Sequence, residues 1–234
     1  MTTTLHPPAA TERLALDARP APRGWAWTGL GAGLGGLFIF IVITGALVVD
    51  TDLLRDNALV LAELDGKQGW VWAFQTTSFA VAILTAIFGV GLRRRLAGQA
   101  PAGSLLPELS ALGLALVAAL TLVGGGISTE MFHSLRNADQ VDPDTVGAQQ
   151  AIFNTLAWVW AGGILTTGSV AIAGLRHASV GKGLARFAAV MTFLIIVTQV
   201  TPFQYLAVAP MALFLIVCSI SMLRSERSPA NPGR

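Results

Sequence analysis

The run from Trp70 to Arg95, WVWAFQTTSFAVAILTAIFGVGLRRR, constrains this chain more than any other stretch. No charge falls between Gly69 and Leu92, a length of 24 residues. Wound as an α-helix, such a segment extends roughly 36 Å, enough to cross a hydrocarbon core of about 30 Å. Trp70 and Trp72 stand at one end, where amphipathic rings favour the lipid headgroup level, and Arg93, Arg94 and Arg95 close the other. Only 12% of the residues are charged, against about 25% in an average soluble domain. A chain so poor in water-facing groups reads as an integral membrane protein.

Other apolar runs repeat the signal. Gly24 to Val49 is uncharged for 26 residues, longer than the roughly 7–15 residues of a signal-peptide core, so it is expected to stay as a span. A third span is expected from about Leu109 to Ile127, and a fourth that enters the membrane near Ala151. From Phe187 to Leu223 no charge appears for 37 residues. One helix of that length would measure roughly 55 Å, too long unless strongly tilted. Pro202, flanked by Thr198, Gln199, Thr201 and Gln204, is expected to break it into two spans. The expected fold is therefore all-α: a polytopic integral membrane protein with six transmembrane helices in one bundle. The bundle covers residues 24–224, between a disordered cytoplasmic tail at 1–23 and a cytoplasmic tail at 225–234.

The charges sort by side under this division. Twelve of the fifteen basic residues fall on the side of the termini, and only Arg55, Lys67 and Arg136 on the other, which holds nine of the thirteen acids. Positive charge marks the cytoplasmic side, so both termini are expected inside. Arginine outnumbers lysine thirteen to two, which hints at a GC-rich bacterial genome and hence a cell inner membrane. No basic stripe lies on a soluble face, so the expected partners are the lipid bilayer and a membrane protein or second copy, not nucleic acid. Cys218 is the single cysteine, which rules out an intrachain disulfide.

Finer features follow. Trp158 to His177 again opens on WVWA and closes on GLR, which raises a parallel repeat of two hairpins; chance likeness of apolar segments is the competing account. Gly29/Gly33 and Gly31/Gly35 have GxxxG spacing, suited to close helix packing or to a dimer face. The acidic loop 50–69 contains LVLAEL, expected as a short interfacial helix, and a second acidic loop from Ser128 to about Val146 contains Asp142-Pro143, an N-cap followed by a first-turn proline.

Chemistry-bearing residues are few. No ionisable side chain falls in the core of any expected span, which argues against an ion-coupled pump. Glu130 and His133 are three apart, the Glu-x-x-His spacing of helical metal sites, and are the candidate metal ligands; Asp50 and Asp52 are the nearest further candidates by topology. Gln75, Asn154, Gln199 and Gln204 come from four spans at similar depth and are the candidate ligand-binding residues, with plain interhelical hydrogen bonding as the bland alternative. No GxSxG, HExxH, phosphate-binding loop or intramembrane histidine pair is present, and no cofactor is expected. Three functions remain: a non-enzymatic bundle that binds a partner or lipid or senses at its outer face, a facilitator for a small uncharged solute, and a metal-dependent membrane enzyme using Glu130 and His133.

Overall fold

In the computed structural model, residues 24–225 are described; the tail expected at 1–23, and all but the first residue of that expected at 225–234, lie outside the described residues. The helices are α1 (Gly24–Val42), α2 (Asn57–Leu64), α3 (Gln68–Ala97), α4 (Leu106–Arg136), α5 (Pro143–Thr155), α6 (Gly163–His177), α7 (Lys182–Val200) and α8 (Val208–Ser225). No strand occurs among the described residues. Six segments are long and apolar enough to cross a membrane, as expected: Gly24–Leu47, Gln68–Ala97, Leu106–Arg136, Pro143–His177, Lys182–Val200 and Gln204–Ser225. The chain folds as an all-α, multi-pass helical bundle.

The spans pack round a ring in chain order, each on its neighbour, and span six returns to span one. Close approach at that seam is a matter of glycine. A Cβ on Gly33 would stand 2.8 Å from the Ala212 carbonyl oxygen and 3.0 Å from the Ile216 nitrogen, so α1 lies directly on the backbone of α8. Gly31 and Gly35 face Leu84 and Val81 of α3 in the same manner. Both glycine pairs are therefore used inside the bundle. A short 3-10 stretch, Leu156–Gly162, lies within span four and leans into the ring. Ala157, Trp160 and Gly163 are buried there, the three-residue spacing that a 3-10 turn brings to one side. Trp160 reaches toward Gly36 of α1, and Met211 of α8 sits against Gly163, which closes the middle of the ring.

Local chemistry sets the helix ends. The Asp142 carboxylate accepts from the Asp144 backbone N–H at 2.9 Å with Pro143 in the first turn, the cap expected from Asp142-Pro143. Thr201 is extended (φ −112°, ψ 166°), as the residue before a proline prefers, and this ends α7 at Pro202 as expected.

One boundary differs from the sequence reading. Helix α4 does not stop at the glycine triplet Gly124–Gly126 but continues to Arg136. The Ser128 and Thr129 hydroxyls donate to the Gly124 and Gly125 carbonyls at 2.8 and 3.2 Å, within the same helix. At 31 residues, α4 has a length of about 46 Å and outruns a hydrocarbon core. The acidic loops are also not free. The expected short helix at LVLAEL forms as part of α2, whose Val60 and Leu64 are buried and which packs on α5, while Leu59, Ala62 and Glu63 stay exposed. The acidic end of the bundle thus carries a cap built from α2, α5 and the last turns of α4.

Candidate functional site

Three cavities among the described residues bear on function. The first is a groove of about 350 Å³ between α3 and α4, lined by Gln75, Thr76 and Phe79 from one helix and Leu122, Gly125, Gly126 and Thr129 from the other. It opens sideways on the flank of the bundle, since Thr76, Phe79, Leu122 and Gly126 are all exposed. The second is an interior crevice of about 20 Å³, room for little more than one water, lined mainly by apolar side chains including Phe74, Leu156 and Trp160, with the Ser78 and Thr121 hydroxyls. The third, about 660 Å³, is an open hollow at the acidic end beside Asp50 and Glu63.

The helix pair α3–α4 makes the groove because both helices are small where they meet. Ser78 and Gly125 are buried between them, and a Cβ on Gly125 would lie at an ordinary 3.7 Å from Ser78 Cβ. Gly126, one residue on, points away from this contact, and no atom lies within 4 Å of where its Cβ would be. Gln75 sits at the rim on α3, half-buried. Its Oε1 is covered from solvent yet receives no hydrogen bond. Beside it, the Thr76 hydroxyl donates to the Trp72 carbonyl at 2.9 Å and the Thr129 hydroxyl to Gly125. Both nearby hydroxyl protons are therefore already committed.

The four amides of the expected polar layer go to different places. Gln75 lines the flank groove and is the only one of the four in any of the three cavities. Asn154 accepts from Gln150 Nε2 at 3.3 Å, and Gln150 also donates to the Leu47 carbonyl at the end of span one. Buried Gln199 donates to the Ala157 carbonyl at 3.1 Å and so ties span five to span four. Gln204 is half-buried at the start of the 3-10 turn after Pro202. These cavities do not gather the four residues expected to share one pocket.

Glu130 and His133 lie on a continuous helix, as their spacing required, and both are exposed. No group of three or more His, Cys, Asp or Glu side chains with metal-binding geometry is present among the described residues. Around them, Arg136 stands over the Phe132 ring, 5.8 Å from its centre.

Sequence reasoning did not single out Thr76, Thr129 or Gly126. Their signal was available: 75, 76 and 79 on one helix, and 122, 126 and 129 on the next, each fall at one-turn spacing on one face. No family model matches the chain, and no curated protein or solved structure matches it.

Proposed function

We propose that this protein is a non-enzymatic bundle of the cell inner membrane that binds a partner through its membrane-embedded flank. Its acidic cap faces outward, and both termini are cytoplasmic. The single observation that carries the reading is the α3–α4 groove, a roomy, laterally open space on the flank lined by Gln75, Thr76 and Thr129 as well as Phe79 and Leu122. Polar side chains facing hydrocarbon are costly, so a flank that gathers Gln75, Thr76 and Thr129 at one open groove is suited to being covered. A facilitator needs a path along the bundle axis, and the axis is filled: Leu114, Val117, Trp160 and Met211 are all at most 4% exposed. A metal enzyme needs further ligands for Glu130 and His133, and an exposed pair on one helix face is the ordinary state of a solvated turn.

Native mass spectrometry of the protein released from membrane nanodiscs tests the binding reading. A bound mass is expected on the intact chain and is expected to be lost in Gln75→Leu. Solute flux through proteoliposomes above that of protein-free vesicles, unchanged by Gln75→Leu, would favour the facilitator instead.

A further inference from the structure

We infer that the exposed side of α7 is a binding site for an anionic phospholipid, with Lys182 and Arg186 on its headgroup and an apolar stripe below them along its acyl chain. The site is separate from the α3–α4 groove and stands whether or not that groove holds a partner.

One face of α7 carries the whole arrangement. Lys182, Arg186, Val190, Phe193 and Val197 are all exposed, and their spacing keeps them within about 80° around the helix. Two bases thus head a stripe of three bulky apolar side chains. From Arg186 to Val197 the helix rises about 16 Å, half of a hydrocarbon core of about 30 Å. That is the depth of one leaflet, so the stripe matches a phospholipid from headgroup to tail. A free phosphate would use the bases alone. Lys182–Val200 is also the least buried of the six spans, which leaves the stripe open to the bilayer.

Charge selects the headgroup. The chain has no acid from Thr145 to Ser225, so α6 and α8, the helices on which α7 packs, supply none. Neither base forms an ion pair among the described residues. Arg176, in the last turn of α6, adds a third positive charge across the short turn into α7. Ser179 donates to the Gln99 carbonyl at 3.0 Å and fixes that turn against the loop after α3. A stripe on α4 enters from the same end with a different head: Leu112 and Leu116 are exposed below Glu108, whose carboxylate pairs with Arg93 at 3.2 Å. Both stripes suit an acyl chain, but only the one on α7 presents uncompensated bases.

The test uses the full chain in nanodiscs made of equal parts phosphatidylglycerol and phosphatidylcholine. Photoreactive benzoylphenylalanine replaces Phe193, eleven residues into α7, or Leu116, ten residues into α4, as the control. Mass spectrometry of the adducts is expected to show phosphatidylglycerol in excess at 193 and the two lipids near parity at 116. Lys182→Gln and Arg186→Gln should each lower the excess about fivefold, the attraction of one surface base for anionic lipid. Lys67→Gln, at the acidic end, should leave it unchanged. Parity at 193 overturns the site. So does an equal excess at both positions, which would mean a general attraction to the basic end, and so does an excess at 193 that survives the double variant. Displacement of the excess by glycerol phosphate at constant ionic strength would assign the bases to a free phosphate and overturn the lipid.

Discussion

The Asn57 side-chain amide donates to the Asp144 carboxylate at 2.8 Å, joining two polar segments 87 residues apart. The contact lies between α2 and α5, which the sequence places in separate acidic loops. Beneath it, Gln68 donates to the Leu135 carbonyl and Gln149 to the Ser134 hydroxyl, both at 2.9 Å. Val60, Leu64, Met131, Leu135 and Val146 are buried below these bonds. The acidic end is thus a small packed layer with its own core.

That layer predicts a local response. Asn57→Ala removes one exposed, charge-assisted bond, a loss of about 1 kcal/mol after solvent screening. Amide hydrogen exchange should quicken in α2 and α5 and stay unchanged in α7 and α8. Equal quickening in every helix would mean that the cap has no independent stability.

Two glycines on α4 separate packing from open space. A Cβ on Gly113 would stand 2.5 Å from Thr166 Oγ1 and 2.6 Å from the Gly162 carbonyl oxygen, while Gly126 has nothing within 4 Å. Gly113→Ala should destabilise detergent-dispersed monomer by about 1–3 kcal/mol, since the backbones must separate. Gly126→Ala should stabilise it slightly, by about 0.5–1 kcal/mol, through helix propensity alone. Thermal unfolding of the two variants should move in opposite directions.

The contrast shows what the sequence makes legible in a membrane bundle. Span number, the break at Pro202 and the cap at Asp142 follow from length, charge and backbone chemistry, which are local. Which face turns inward does not follow, because lipid is as apolar as the bundle interior. Phe79 and Phe88 are the same residue on one helix, yet the first is 62% exposed and the second fully buried. The repeated WVWA shows the same limit. At 70–73 it lies in the first two turns of α3 with both tryptophans exposed, and at 158–161 it lies in the 3-10 stretch with Trp160 buried. Phe74 meets Phe153 edge to face at 5.0 Å, which puts Trp70 about a turn toward the acidic end of that level and Trp158 beyond it on the other side. The likeness in letters is not a likeness in position. For the four amides, partners depend on rotation about each helix axis, which uniform apolarity conceals.

Gln199 offers a test of an amide used as a strut. Its Nε2 bonds the Ala157 carbonyl while its Oε1 is buried and unpaired. Gln199→Leu removes one bond and one orphan together, and leaves a side chain of similar bulk. The two effects oppose each other, and intramembrane bonds average only about 0.6 kcal/mol, so the change should stay within about 1 kcal/mol. Gln199→Ala opens a cavity as well and should destabilise by about 2 kcal/mol or more. If leucine proves as damaging as alanine, the hydrogen bond matters more than the volume.

Orientation gives the last prediction. Described basic residues gather at one end, Arg93, Arg94, Arg95, Arg176, Lys182, Arg186 and Arg224, with Glu108 the one acid among them. Arg93 pairs with Glu108 at 3.2 Å, but both side chains are about half exposed, so the pair scarcely reduces the positive field of that end. Ser179 donates to the Gln99 carbonyl at 3.0 Å and holds the two basic loops side by side, concentrating their charge. The opposite end carries nine acids against three bases. Charge of this asymmetry in short loops resists translocation on the basic side, so that side is expected in the cytoplasm. In a Cys218→Ser background, Ala62→Cys and Gln140→Cys lie exposed on the acidic cap, and Gly98→Cys lies exposed on the basic end. In intact cells an impermeant thiol reagent should label the first two and leave the third unlabelled until the membrane is opened. Labelling of Gly98→Cys alone would invert the orientation, and labelling at both ends would show that the chain inserts in two directions.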